Sequence, residues 1–416
     1  MRLTLLRALR HRNFALFASG QAFALIGYWM QAIAQSWLLY RLTGSAMLLG
    51  VLGFASSVPV LLLAPFAGLW SDRVNLHRAM FATQVLEMLQ AITLAALAVA
   101  GIIAPWHIIT LAMIMGILIA IELPLRHAYL IELVDGKEDL ANAVALTSLN
   151  ANMGRLIGPA IAGIVIASHG EAACFVINAL TYVAVLVSFL AIRVKASPRE
   201  SSHLPVLQGL SEGFAYAWRS IPIRLLLTVL AVVALLATPY MTLMPMLVRE
   251  VYGGGARAMG FLVGAAGVGA IGGTLFLASR PDVRGLVSVI TGASIATGTA
   301  LALVSWAGGI YAAVALLAIV GCGILVTSVS VNMILQTIVD DDKRGRVMSL
   351  YTAAFIGMSP FGALAAGALA DRVGVAVTLT AGGVCCALAG LYLAHKRAEI
   401  RTLMIPIHAR LQTHNR

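Results

Sequence analysis

Charged residues are scarce in this chain. Asp, Glu, Lys and Arg make up 11% of the 416 residues, whereas 60% of the residues are hydrophobic and the mean hydropathy is +0.93. A soluble protein of this size needs a far larger share of charged side chains to cover its apolar core. The scarcity of charge therefore excludes a soluble globular protein and predicts a chain that crosses a membrane many times.

Cysteine is scarce too, and the signatures of several enzyme classes are missing. The four cysteines are Cys174, Cys322, Cys385 and Cys386. All four lie in apolar runs without ligand spacing, so we expect no disulfide, no metal site and no cofactor. The sequence Gly-x-x-x-x-Gly-Lys-Ser/Thr does not occur, which excludes ATP hydrolysis by this chain. His127 and His169 are predicted on opposite sides of the membrane, away from any cluster of His, Asp or Ser. We therefore expect no enzyme.

Twelve apolar stretches of about 20 residues, the length that crosses a bilayer as a helix, follow one another along the chain. They cover approximately residues 14–40, 46–70, 79–101, 106–130, 143–167, 173–192, 222–248, 258–278, 286–307, 310–337, 347–370 and 374–394. With a cytoplasmic N-terminus, 23 of the 28 Lys and Arg residues fall in cytoplasmic segments. Arg155 lies within a span, and the four outer residues are Arg41, Arg249, Arg257 and Arg372. This bias predicts two cytoplasmic termini. It explains the net charge of +11 by topology, so we expect no nucleic-acid partner.

The chain repeats itself at half its length. Gly158, Ala162 and Gly163 recur as Gly362, Ala366 and Gly367, with a constant offset of 204 residues. A half-length repeat is the usual signature of a secondary transporter made from two duplicated bundles. We therefore predict an all-α membrane protein whose twelve transmembrane helices form two pseudo-symmetric six-helix bundles.

The largest predicted cytoplasmic loop separates the two bundles. We expect an N-terminal six-helix bundle at residues 1–196, a cytoplasmic central loop at 197–221, and a C-terminal six-helix bundle with a basic cytoplasmic tail at 222–416. In the loop, apolar side chains recur at a spacing of three and four, which predicts a short amphipathic helix on the cytoplasmic surface. These side chains are Leu207, Leu210, Phe214 and Trp218. We expect a linker that packs against the bundles, and the alternative is a regulatory site.

A charged loop follows the second predicted span. It reads Gly68-Leu-Trp-Ser-Asp72-Arg73-Val-Asn-Leu-His77-Arg78. This pattern resembles the signature loop of the major facilitator superfamily, although Asn75 stands where a second Gly is usual. The resemblance implies the fold of that superfamily. It also implies that Gly68, Asp72, Arg73 and Arg78 form a latch that holds the two halves in one conformation. The alternative is an ordinary charged turn.

A helix breaker and a series of small residues lie within the fifth span. The segment reads Gly154-Arg155-Leu-Ile-Gly158-Pro159-Ala-Ile-Ala-Gly163. Its glycines let a facing helix come close, and Pro159 bends the helix and removes a backbone donor. The segment resembles the antiporter pattern of the same superfamily, which is associated with exporters. The alternative is generic helix packing.

Further segments narrow the resemblance to one branch of the superfamily. These segments are Pro124-Leu-Arg126-His127, Arg155 before Gly-Pro, Leu335-Gln336-Thr337 and Gly345-Arg346-Val347. They are similar to the branch that contains enterobactin exporters and macrolide and drug efflux permeases. The resemblance covers nearly the whole chain, and it implies export of a small molecule.

Charged side chains inside the spans are the candidates for energy coupling, because each is costly in lipid. Glu87 lies roughly 13 Å deep at helical rise, and carboxyl groups in apolar surroundings hold protons more readily than in water. Gln84 and Gln90 flank Glu87 as possible hydrogen-bond partners. Glu122 lies one turn from Arg126, so an ion pair between them is geometrically easy. Arg155 also needs a partner. For each of these charges a purely structural role is the alternative.

Uncharged polar side chains predict the substrate cavity. In the first span they are Gln21, Tyr28, Gln31 and Gln35, and in the tenth they are Ser328, Asn332 and Gln336. Each set falls close to one helical face. Family resemblance places the first and tenth helices beside the cavity. The alternative is hydrogen bonding between helices.

These observations predict a secondary active transporter that exports a small amphipathic molecule, either a drug-like compound or a siderophore-like metabolite. We expect alternating access with the proton as coupling ion, no ATP, membrane lipids as neighbours, a monomer, and a location in the bacterial inner membrane. One alternative is a lipid or lysophospholipid flippase of the same fold. A multispan receptor or enzyme is a more distant alternative.

Overall fold

Twelve long helices dominate the computed structural model, which describes residues 6–71, 73–134, 136–193, 215–280 and 285–414. The first six helices are α1 (Arg12–Thr43), α2 (Ala46–Ser71), α3 (Leu76–Val99), α4 (Pro105–Leu133), α5 (Lys137–His169) and α6 (Glu171–Ala191). The next four are α7 (Ile221–Leu236), α8 (Ala256–Ala278), α9 (Leu286–Val304) and α10 (Ile310–Ile338). Helix α11 consists of Asp341–Thr352, a π-helical turn at Ala353–Gly357, and Met358–Val373; α12 is Val375–His414. The described residues contain no strand, so the predicted all-α fold is confirmed.

Eleven helices within the described ranges are long and apolar enough to cross a membrane. Helix α1 is 32 residues long but is not among the eleven. The amides of Gln21, Gln31 and Gln35 are spread along its apolar stretch and lower its hydropathy. Most helix ends lie within a few residues of the predicted spans, because the length of an apolar run is set by the bilayer.

Helix α7 is shorter than predicted. We predicted one span over residues 222–248, but the helix ends at Leu236 and is followed by a 3₁₀ turn at Thr238–Tyr240 and a π-helical turn at Leu247–Val251. Pro239 and Pro245 explain the breaks, since each removes a backbone donor and its ring clashes with the preceding turn. Helix α12, by contrast, runs 20 residues beyond the predicted end at residue 394.

The helices group into two compact units. Unit 1 comprises Met1–His203 and Val248–Gly264, and unit 2 comprises Leu204–Leu247 and Ala265–Arg416. The predicted boundary at residue 196 lies outside the described residues, as do Leu207, Leu210 and Phe214 of the predicted amphipathic helix. Residues 215–219 are helical, with Trp218 exposed.

The two units repeat one set of helix neighbours. In unit 1, α3 contacts α4 and α6, and α1 contacts α5 and α6. Six helices later, in unit 2, α9 contacts α10 and α12, and α7 contacts α11 and α12. The half-length repeat in the sequence therefore corresponds to a repeat in packing.

The core of unit 1 contains an aromatic cluster. Phe17 packs edge-on against Tyr129 and Phe189, with ring centroids 5.7 and 6.0 Å apart, and Tyr129 stacks on Phe189 at 5.8 Å. All three side chains are buried. Because these rings lie on α1, α4 and α6, they set the spacing of three of the helices that line the candidate functional site.

Candidate functional site

Four polar side chains meet in the interior of unit 1, and we call them the acid cluster: Gln84 and Glu87 on α3, and Glu122 and Arg126 on α4. The Gln84 Nε2 atom donates to Glu87 Oε2 at 3.0 Å and to Glu122 Oε1 at 3.2 Å. Gln84, Glu87 and Glu122 are only 1%, 3% and 3% exposed. One amide therefore joins two buried carboxyl groups that lie 35 residues apart in the sequence.

An ion pair compensates one of the two carboxyl groups. Arg126 Nη2 lies 2.6 Å from Glu122 Oε1, and Arg126 Nε donates to the same oxygen at 3.2 Å. The residues are one helical turn apart on α4, where i and i+4 side chains face each other. The predicted Glu122–Arg126 pair is confirmed.

The acid cluster borders a cavity of about 140 Å³. Gln21 and Tyr28 of α1 and Tyr182 of α6 also line this cavity. Among the described lining residues, Arg126 alone is basic, whereas Glu87 and Glu122 are both acidic. With both carboxyl groups ionised, the cavity carries one uncompensated negative charge, which is costly inside a membrane. One bound proton removes that charge.

A second polar network lies beside the acid cluster and has a different role. Asn178 Nδ2 donates to Gln31 Oε1 at 2.8 Å, Gln31 Nε2 donates to Gln90 Oε1 at 3.1 Å, and Gln90 Nε2 donates to the Leu111 carbonyl at 3.0 Å. This amide chain ties α6, α1, α3 and α4 together. Gln31 was predicted for the cavity and Gln90 as a partner of Glu87, but here both bond to other groups. Asn178 was missed, although an Asn within an apolar span is itself a signal.

The remaining predicted cavity residues have separate surroundings. Gln35 is buried, and its Nε2 atom has no hydrogen-bond partner among the described residues. In unit 2, the Tyr351 hydroxyl donates to the Ser328 carbonyl at 3.2 Å, and Gln336 Nε2 donates to Asn332 Oδ1 at 2.7 Å. The three predicted residues of α10 therefore pair either with each other, as Asn332 and Gln336 do, or with α11, as Ser328 does.

The small residues of α5 face two different helices. A Cβ placed on Gly158 would lie 2.6 Å from the Trp29 Cβ, and one on Gly154 would lie 2.9 Å from the Leu25 Cβ. Both positions therefore need glycine so that α1 can pack closely against α5. A Cβ on Gly163 would lie 2.8 Å from the Ala256 carbonyl oxygen and 3.0 Å from the Gly260 Cα. Gly163 therefore allows the start of α8 to pack closely against α5.

The proline of this segment takes part in the same contact. A Cβ placed on Gly260 would collide with the Pro159 carbonyl oxygen. A second contact joins α1 to the same stretch of chain, because the Tyr40 hydroxyl donates to Glu250 Oε1 at 2.5 Å. Residues 248–264 thus pack into unit 1 through the segment that the sequence marked as a joint.

Arg155 finds an aromatic partner. Its guanidinium carbon lies 5.6 Å from the centroid of the Trp29 ring, a distance typical of a cation–π contact. Arg155 is half-buried and forms no ion pair with the described residues. The partner that we predicted for Arg155 is therefore the Trp29 ring. Gly154 and Gly158, on either side of Arg155, allow α1 and α5 to come close enough for this contact.

The family of the chain follows from comparison with known proteins. Residues 4–405 match the family model described as "Transmembrane secretion effector", within the major facilitator superfamily. The chain belongs to this family. The resemblance predicted from the loop and from the fifth span is confirmed.

Curated relatives of this chain are transporters. It is 28% identical to the staphyloferrin A transporter of Staphylococcus aureus over 404 residues, which cover 92% of this chain and 97% of that protein. It is 24% identical to the multidrug efflux pump Tap of Mycolicibacterium fortuitum, over 84% of this chain and 87% of that protein. It is 28% identical to the enterobactin exporter EntS of Shigella boydii over 64% of this chain and 63% of that protein.

Solved structures share the fold of this chain. The POT family transporter PepTSo superposes with a TM-score of 0.72 at 11% identity, over 94% of this chain and 99% of that chain. A mutant of the nucleoside transporter NupG superposes with a TM-score of 0.71 at 13% identity, over 94% and 99% of the two chains. These similarities place the two six-helix bundles in the major facilitator fold.

The signature loop of the superfamily is described in part. Gly68 lies near the end of α2, Arg73 lies in the turn that follows, and Arg78 lies in the first turn of α3. Asp72 lies outside the described residues, so the predicted latch stays a prediction. Asn75 Oδ1 accepts a hydrogen bond from the Arg78 backbone N–H at 2.9 Å and caps α3. The departure from the family pattern at this position therefore supplies a helix cap.

A test of the joint follows from the contact of Gly163. We expect Gly163→Val to lower the thermal midpoint of the detergent-solubilised protein, because the added methyl groups force α5 away from the start of α8. Overpacking of this kind costs about 1–3 kcal/mol. The matched control is Gly272→Ala on α8, where a Cβ meets nothing within 4 Å. Equal midpoints for the two variants would contradict the assigned contact.

Proposed function

We propose that this transporter exports a small amphipathic molecule by alternating access, driven by protons that move inward, with Glu87 as the proton carrier. The main support for this proposal is the balance of charges in the acid cluster. Two buried carboxyl groups face one guanidinium, and the Glu122–Arg126 ion pair leaves Glu87 without a cation. Because no cation is paired with Glu87, its negative charge is removed by binding a proton.

The side chains around Glu87 support a reversible proton site. Gln84 donates a hydrogen bond to Glu87 Oε2 at 3.0 Å, so the ionised form has a donor when the proton leaves. The Glu87 Oε1 atom has no hydrogen-bond partner in the described part of the chain. A proton bound to this oxygen leaves the hydrogen bond from Gln84 to Oε2 in place. The 140 Å³ cavity supplies the space in which water delivers that proton.

The direction of transport and the class of cargo rest on the relatives. Their names describe a staphyloferrin A transporter, a multidrug efflux pump and an enterobactin exporter, and the last two names specify export. We propose the same direction for this chain and a cargo of drug-like or siderophore-like size. We place it in the bacterial inner membrane as a monomer with cytoplasmic termini, working without ATP or another cofactor among membrane lipids.

Uptake into everted membrane vesicles tests this proposal. Export becomes uptake in this geometry, because the cytoplasmic face of the membrane points outward. With an acidic lumen, we expect vesicles that contain the transporter to accumulate an amphipathic dye such as ethidium, and unlabelled siderophores and drugs then compete with the dye. Nigericin, which dissipates the pH gradient, should abolish the accumulation. Accumulation that persists with nigericin, or that needs an alkaline lumen, contradicts proton antiport.

A further inference from the structure

A second cavity lies in unit 1, away from the acid cluster, and we call it the outer cavity. It has a volume of about 560 Å³. Trp37 and Arg41 at the end of α1, Gly170 and Glu171 at the start of α6, and Arg257 at the start of α8 line it. Gly170 has a φ of 79°, which lets α5 turn directly into α6 and brings these ends together. By the predicted topology, this cavity faces the outer side of the membrane.

The charges of the outer cavity do not cancel. Arg41 Nη2 pairs with Glu171 Oε2 at 3.1 Å, and Glu171 is only 7% exposed. Arg257 is exposed and forms no ion pair with any described residue. Two guanidinium groups and one carboxylate leave one net positive charge in the cavity.

The outer cavity contains two arginines although Lys and Arg are rare in the predicted outer segments of the chain. Only four of the 28 Lys and Arg residues lie in predicted outer segments, because basic residues are kept on the cytoplasmic side. Two of those four, Arg41 and Arg257, line the outer cavity. The N-termini of α6 and α8 open at the same place, and their first backbone N–H groups add positive potential.

We propose that the outer cavity is an anion-binding site that takes a carboxylate or phosphate group. Arg257 supplies the free guanidinium, which suits the paired oxygens of such groups. Glu171 competes with the ligand for Arg41, so it sets the affinity of the site. The ligand is either a soluble anion, such as a molecule leaving the transporter, or the headgroup of an anionic lipid. The site does not depend on the proton-carrier role of Glu87.

Citrate binding to the purified full-length protein tests the proposal. The protein is held in phosphatidylcholine nanodiscs, and citrate affinity is measured by isothermal titration calorimetry. We expect the Arg257→Gln variant to bind citrate about tenfold more weakly than the wild type, because the loss of one charge-assisted hydrogen bond lowers an affinity by about that factor. We expect Glu171→Gln to bind citrate more tightly, because Arg41 is then free. The matched control is Arg372→Gln, which removes another exposed outer arginine that does not line this cavity.

A second arm distinguishes a lipid ligand from a soluble one. In this arm the nanodiscs contain phosphatidylglycerol, and the lipid that co-purifies after detergent extraction is quantified. Enrichment of phosphatidylglycerol by the wild type but not by Arg257→Gln supports the site with a lipid headgroup as its ligand. Equal citrate affinity and equal lipid enrichment in the wild type and Arg257→Gln would overturn the proposal. Size-exclusion profiles establish that each variant is folded.

Discussion

Replacing Glu87 by Gln is expected to abolish the accumulation of substrate that a pH gradient drives in everted vesicles. Gln keeps the shape and the hydrogen bond to Gln84, but it cannot bind and release a proton. The cavity then carries no uncompensated negative charge in any state, so the proton gradient has no group through which to act. We expect a loss of at least about tenfold in the initial rate, in line with the removal of a proton-transfer group.

Substrate exchange separates this effect from misfolding. Vesicles loaded with unlabelled substrate and supplied with labelled substrate exchange the two without net proton movement, so Glu87→Gln should retain this counterflow. The matched control is Glu138→Gln, because Glu138 is an exposed carboxylate that pairs with Arg7 at 2.7 Å outside the cavity. Gradient-driven accumulation at the wild-type rate in Glu87→Gln would exclude Glu87 as the proton carrier.

Replacing Arg126 by Met is expected to destabilise unit 1 strongly. The substitution keeps an unbranched apolar side chain of similar reach but leaves Glu122 without its cation. Removing one partner of a buried ion pair costs about 3–5 kcal/mol. Arg126 and Glu122 have side-chain exposures of 17% and 5%, so water does little to compensate. Thermal unfolding of the detergent-solubilised protein measures the loss.

The double variant is the control for this ion pair. In Glu122→Gln combined with Arg126→Met, no charge of the pair remains, and most of the lost stability should return, because the penalty of the single variant comes from the carboxylate left behind. If the double variant is as unstable as the single one, Arg126 stabilises the unit by packing and not by its charge.

The sequence predicted the helices well and their contacts poorly. The ends of α1, α2, α4 and α10 fall within about three residues of the predicted spans, because hydropathy is a local property of the chain. The break after Leu236 was missed, although Pro239 and Pro245 were visible, because in membranes neighbouring helices decide whether a proline kinks or ends a helix.

The candidate site was predicted only in its parts. Glu87 and Glu122 were recognised because charge is rare within spans, and the Glu122–Arg126 pair followed from helical spacing alone. The bridge from Gln84 to both carboxyl groups was beyond prediction, since it joins α3 to α4 across 38 residues. For the same reason, the hydrogen bonds of Gln31 to Gln90 and Asn178 could not be predicted.

The sequence by itself determined the number of spans, most of their positions, the half-length repeat and the family, because each of these depends on patterns of residues along the chain. Only the tertiary structure decided which polar side chains meet. An amide within a span satisfies its hydrogen bonds with whichever helix lies beside it, and helix neighbours are set by close packing at residues such as Gly158 and Gly163. The sequence therefore predicted a joint at the segment around Pro159, whereas only the tertiary structure identified α1 and α8 as the helices that this segment contacts.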